Sequence, residues 1–175
     1  AQYAVNTHTA AGSLIDNATA TFPAIVSGAL SGSLRLAPVS RSTPGVTEQV
    51  RVEFTLSGAV PAGGFVRVIF PSGWNLPVAP SVTVLPLSAG VAGTGTWSSS
   101  TRELLVKTSG RALAQGSSLA LLIDGVKTPP SERIEATTTI STLDTVAAGQ
   151  ALIDSAGLTV AAISKGELGG AQRTW

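Results

Sequence analysis

Residues 47–57 read TEQVRVEFTLS, and their side chains alternate without a slip. Val50, Val52, Phe54 and Leu56 share one face, while Arg51, Glu53 and Thr55 share the other. A period of two is the geometry of a strand with one face in a core and one in water. The turn Val60-Pro61-Ala62-Gly63-Gly64 then leads into an apolar run over 65–70, which Pro71-Ser72-Gly73 ends. Working outward, residues 81–85, 95–98 and 102–107 read as strands separated by Gly, Ser and Pro. Residues 119–126 form a strongly apolar, central strand. Residues 133–141 alternate Ile134, Ala136, Thr138 and Ile140 and carry the Thr content that strands favour. Upstream, 19–26 and 30–37 are shorter candidates. Residues 109–116 could hold one helical turn, but they also resemble the turn at 57–64. No sustained helical period appears. Strands at intervals of about 8–12 residues predict an all-β, antiparallel β-sandwich.

The chain also carries one segment twice. Residues 14–32 read LIDNATATFPAIVSGALSG and residues 152–170 read LIDSAGLTVAAISKGELGG, at a constant offset of 138 with 10 of 19 positions identical. The matches include Ile15/Ile153, Asp16/Asp154, Ala18/Ala156, Ile25/Ile163 and Gly28/Gly166. A fixed period marks repeat architectures, in which a unit needs its neighbour to complete its buried surface. Only one full period fits in 175 residues. The chain is therefore one module plus a surplus twin of the segment with which it begins.

Composition excludes several classes of function. Charged residues are 12% of the chain, against about 25% in an average domain, and the mean hydropathy is positive. Disorder needs the opposite balance. Net charge is +1 with no basic run, so the footprint for nucleic acid or acidic lipid is missing. Cys is absent, which removes disulfides, thiolate metal sites and cysteine nucleophiles. No apolar run reaches the 18 or so residues of a membrane span. No basic segment followed by an apolar run opens the chain, and Ala1-Gln2 would suit a start left by signal cleavage.

The reactive groups of an enzyme are mostly missing. His8 is the only histidine and lies in a polar, Thr-rich arm, with no Gly-x-Ser-x-Gly elbow anywhere. We therefore expect no enzyme, no catalytic residue, no cofactor and no metal. Asp16 and Asp154 recur at matched positions and admit two readings: a Ca²⁺ ligand at a module junction, or a turn residue whose carboxylate binds backbone N–H groups two residues on. The second is preferred, because no Asp-x-Asp cluster accompanies either. Glu132 and Glu135 fall on opposite faces of a strand and read as solvated. Asn17-Ala18-Thr19 is an N-glycosylation sequon. Of the tryptophans, Trp97 reads as core. Trp74, after Pro-Ser-Gly, could be exposed as a sugar-stacking platform or plug the end of the sandwich. Trp175 reads as an anchor for a neighbour's pocket.

The order of these segments is similar to a known family. Residues 49–56, then Ala59-Val60-Pro61-Ala62-Gly63-Gly64, then Val66-Arg67-Val68-Ile69-Phe70-Pro71-Ser72-Gly73 come first; Asp124-Gly125-Val126-Lys127-Thr128-Pro129-Pro130, Ile140-Ser141-Thr142 and the Leu-Ile-Asp segment follow. Together they resemble the Ig-like repeat modules of large surface glycoproteins and mastigoneme-type filament proteins of algae and other protists. Similar modules occur in microbial surface arrays. The likeness spans about residues 9–170. It implies an Ig-like sandwich with an extracellular, structural role, and it supplies no catalytic residue. Members of that family are usually long tandem arrays, whereas this chain holds a single period.

The expectation is thus a sandwich over 33–141, with an N-terminal arm and first twin over 1–32 and a second twin over 142–175. One terminal segment should cross to a neighbouring subunit and add a strand there, giving a head-to-tail homopolymer at the cell surface. The C-terminal twin is the preferred donor. The inserted side chains would be Ile153, Leu158, Val160 and Ile163, or Ile15, Phe22 and Ile25 from the first twin, with Trp175 as a further contact. Covalent glycans, at Asn17 or on Ser and Thr, would be compatible partners. A carbohydrate-binding or adhesive module using Trp74 is the alternative, and a passive stalk cut from a tandem array is a third.

Overall fold

The computed structural model describes residues 2–21, 26–87, 90–145 and 151–166. These residues form twelve strands and no α-helix. In chain order they are β1 (Gln2–His8), β2 (Leu14–Thr21), β3 (Gly28–Ala29), β4 (Ser31–Pro38), β5 (Thr47–Thr55) and β6 (Phe65–Ile69). Then come β7 (Ser81–Leu85), β8 (Val91–Ser98), β9 (Glu103–Gly110), β10 (Ser118–Lys127), β11 (Ala136–Leu143) and β12 (Leu152–Val160). The all-β expectation holds.

The alternation in residues 47–57 makes β5 a wall of the core. Val50, Val52 and Phe54 are buried, and Arg51 is exposed on the other face, 2.7 Å from Glu53. Val66 and Val68 of β6, Leu104 and Val106 of β9, and Leu119, Leu121 and Ile123 of β10 join them in one cluster. Phe70 sits between two tryptophans, with ring centroids 6.0 Å from Trp74 and 5.6 Å from Trp97, the latter edge-on. The edge-on contact with Trp97 suits the ring quadrupoles.

The pairing of strands differs from the expected sandwich. Neighbours run β11-β6-β9-β8-β7-β10-β5-β4-β12, and β12 then pairs with β11, so nine strands close into a barrel. β3 lies beside β12. An Ig-like sandwich would keep two separate sheets. Here β12 bridges the edges of β11 and β4 and leaves neither open, which removes the hazard of an unpaired edge. It is also the odd strand of the barrel: antiparallel to β11 but parallel to β3 and β4, while every other pair is antiparallel. The segment 142–175, expected as donor strand or linker, therefore contributes a barrel strand to its own chain.

Two smaller expectations also resolve. Residues 109–116 form no helical turn. They lie against the look-alike turn at 57–64 instead, where Val60 and Leu113 exchange backbone hydrogen bonds of 2.9 and 2.8 Å. The strand expected at 133–141 begins only at Ala136, and Ile134 is exposed. β1 and β2 stand apart as a two-stranded antiparallel hairpin.

Candidate functional site

The place occupied by β12 is a seat built for one particular strand. Its backbone lies antiparallel to β11, with Leu158 opposite Thr138 and Asp154 opposite Thr142. On its other side Asp154 and Ser155 face Gly28 and Ala29, and Thr159 and Val160 face Arg35 and Leu36. Alternate side chains point inward: Leu158 and Val160 are buried, and Ala156 packs on the core beside them. Ile163, just beyond the strand, is buried too, and its backbone exchanges hydrogen bonds of 2.9 and 2.8 Å with Arg133. Ile153 is partly buried against the same cluster.

Asp154 is the polar pin of the seat. Its carboxylate is fully buried, and Oδ2 accepts hydrogen bonds from the backbone N–H of Ser57 at 3.1 Å and of Gly58 at 2.8 Å. Its own N–H donates to Thr142 Oγ1 at 3.1 Å, where the β11–β12 ladder slips by one residue. Among the described residues Oδ1 has no hydrogen-bond partner. Buried polar groups are tolerated when hydrogen-bonded, and a charged acceptor makes the stronger bonds. The space around the carboxylate explains two glycines. A methyl group at Gly28 would come 2.2 Å from Oδ1 and 2.9 Å from Ser57 Oγ, and one at Gly58 would come 2.7 Å from Ile153 Cγ2. The chemistry expected for Asp154, a carboxylate on backbone N–H groups, is what the fold contains. Asp154 is a strand residue rather than the turn residue expected, and its donors lie 97 and 96 residues away in sequence rather than two.

The twins meet here. Gly28, Ala29 and Leu30, from the tail of the first, lie against Asp154 and Ser155 at the head of the second, where Leu30 N–H donates to Ser155 O at 3.3 Å. The head of the first twin is left over. It forms β2, whose partner is β1, with Val5 opposite Ala18, Thr7 opposite Asp16 and Asn6 opposite Asn17. Every side chain described in this hairpin, over residues 4–19, is exposed, including Val5, Leu14 and Ile15 at 52, 55 and 58%. Among the described residues Asp16, the twin of the buried pin, bonds Thr7, at 3.3 Å through its carboxylate and 3.1 Å through its N–H. Asn17 is exposed on β2.

The expected interface residues therefore separate into two sets. Leu158, Val160 and Ile163 lie in the core of their own chain, and Ile153 packs against it. Ile15 is free on the hairpin. Phe22, Ile25 and Trp175 lie outside the described residues. Trp74 is 5% exposed and packed on Phe70, so it offers no platform for a sugar ring, and Trp97 is in the core as expected. His8 is exposed, with Nδ1 3.2 Å from Gly12 O. Among the described residues, no group of three or more His, Asp or Glu side chains gathers, and no helix is long and apolar enough to cross a membrane. Ser57, Gly58 and Thr142 escaped sequence reasoning. The identities at Asp16/Asp154 and Gly28/Gly166 were the available signal, since one member of each pair forms the pin and its cradle.

No protein-family model matches the chain, and no curated protein matches it either.

Proposed function

We propose that this protein is a structural subunit of an extracellular filament or surface array, joined head to tail by β-strand addition, with the N-terminal hairpin as the part that reaches out. One observation carries the reading: the chain holds two twins of one strand, one sealed in the barrel and the other held in water by a single partner strand. A lone two-stranded hairpin is marginal in water, and an unpaired edge invites another chain. Contacts of this heterologous kind that do not close on themselves grow into filaments. The extracellular address rests on the resemblance to Ig-like surface and mastigoneme-type modules, on the absence of cysteine and on the Asn17 sequon, whose side chain is open to solvent. In this reading Asn17 is an acceptor for N-linked sugar.

Negative-stain imaging and light scattering of the full chain against a variant lacking residues 1–21 test it. Filaments from the full chain and none from the truncated one are expected. A full chain that stays monomeric at high concentration, or a truncated chain that polymerises equally well, would end this reading.

A further inference from the structure

We infer that the seat of β12 is also the receptor for β2 of a second molecule, which enters in the β12 register with Asp16 in the place of Asp154. The inference rests on the filament reading and specifies how that filament is joined.

The fit follows position by position from the constant offset. The inward positions of β12 are Asp154, Ala156, Leu158 and Val160, and their twins are Asp16, Ala18, Ala20 and Phe22. Aspartate and alanine are kept at the first two. At the next two, a large and a medium side chain become a small and a very large one, a change that roughly conserves volume along one face, the kind of swap cores accept best. The outward positions Ser155, Gly157 and Thr159 become Asn17, Thr19 and Thr21, all polar. A Cβ at Gly157 meets Thr137 Cγ2 at 3.3 Å, so the first carbon of a threonine there asks a small adjustment of one exposed residue. The carboxylate sets the register. The Ser57 and Gly58 N–H groups point at one place, and a strand shifted by one residue would turn its aspartate to the outer face.

The displaced β12 is not orphaned. As the twin of β2 it can lie on β1 of the incoming molecule, with Ala156 opposite Val5 and Asp154 opposite Thr7, where Ala18 and Asp16 lie now. The number of paired strands is the same before and after, and the exchange links two molecules as domain swapping does, at low cost. Raising the concentration then favours the linked form by mass action.

A covalent lock tests this. Thr139 and Gly157 are directly opposed in the β11–β12 ladder and both exposed, so the full-length variant Thr139→Cys/Gly157→Cys can be closed by a disulfide in a chain with no other cysteine. Oxidised, it should remain monomeric by light scattering; reduced, it should assemble like the unmodified chain. In a second arm, Thr19→Cys and Thr139→Cys molecules are mixed and allowed to assemble under mild oxidation. Because Thr19 is the twin of Gly157, these should form intermolecular disulfides, and an out-of-register mixture of Asn17→Cys with Thr139→Cys should form far fewer. Assembly by the oxidised lock at the reduced rate, or equal cross-linking by the two mixtures, would overturn the seat while leaving a filament joined by its hairpins. An unmodified chain that never assembles removes the filament reading and this one together.

Discussion

β2 and β12 begin with the same three residues, Leu-Ile-Asp, and agree at five of the nine positions of β12, yet they live in opposite surroundings. β12 has partners on both sides and a core beneath it, whereas among the described residues β2 has one partner strand and its side chains over 14–19 are exposed. Intrinsic strand propensity, nearly equal for twins, does not distinguish them. What β12 gains comes from the seat: two flanking edges, a hydrophobic floor and a pair of N–H groups aimed at one carboxylate. Strand stability is mostly this kind of context.

Equivalent substitutions in the two twins should therefore have unequal effects. The widest gap is in the apolar positions. Leu158 is fully buried, so Leu158→Ala removes burial and leaves a cavity, and should destabilise the chain by about 2–5 kcal/mol. Ile15→Ala, on the exposed hairpin, should change stability by less than about 0.5 kcal/mol. Urea titration of dilute, monomeric protein checks both. Similar losses at both sites would mean that the hairpin packs on the barrel, and the contrast between the twins would fail.

The polar pin comes next. Asp154→Ala removes the acceptor of two part-buried N–H groups, those of Ser57 and Gly58, and should cost about 1–3 kcal/mol. Asp16→Ala should leave the unfolding midpoint of the monomer where it was. If the second molecule's Asp16 takes the same N–H pair in a filament, the concentration needed for assembly should nevertheless rise about tenfold or more. That combination, a silent monomer and a weakened polymer, separates an exchange partner from an idle surface residue. An Asp154→Ala chain as stable as the parent would show that the two hydrogen bonds contribute nothing net.

Much of this was legible in the sequence, and the boundary has a physical origin. Alternation in 47–57 reveals which side chains are buried, because facing is a local property of a strand. It therefore gave the core positions of β5, while the spacing of short strands gave the all-β class and a place in one of them gave the burial of Trp97. Closure of the barrel is a matter of which edges meet, and alternation carries no information on that; the parallel contact of β12 with β4 joins residues more than a hundred apart. Trp74 was ambiguous because its local text, Pro-Ser-Gly-Trp, is that of a surface turn, while its burial comes from Phe70 and the remote strands around it. The repeat revealed that a surplus strand exists. It held no sign of which twin the barrel keeps, since that depends on Gly28, Ser57 and Gly58 converging around one carboxylate.

The smallest contrast lies in the glycines of the twins. Gly28 and Gly166 occupy matched positions, but only Gly28 abuts the pin. In Gly28→Ala the new methyl would meet Asp154 Oδ1 at 2.2 Å and Ser57 at 2.9–3.0 Å, so the carboxylate must shift away from the N–H groups that hold it. Overpacking of this kind costs about 1–3 kcal/mol. A methyl at Gly166 meets only Thr43 Cγ2, at 3.3 Å, and Gly166→Ala should be close to neutral. The effect at Gly28 is coupled to the pin in a way that a double-mutant cycle resolves: once Asp154 is Ala, the tightest obstruction at Gly28 is gone and only the Ser57 contact remains, so Gly28→Ala should cost less than in the parent. Strict additivity in that cycle would place the strain of Gly28→Ala elsewhere, and the view of Gly28 as the cradle of the buried carboxylate would have to be abandoned.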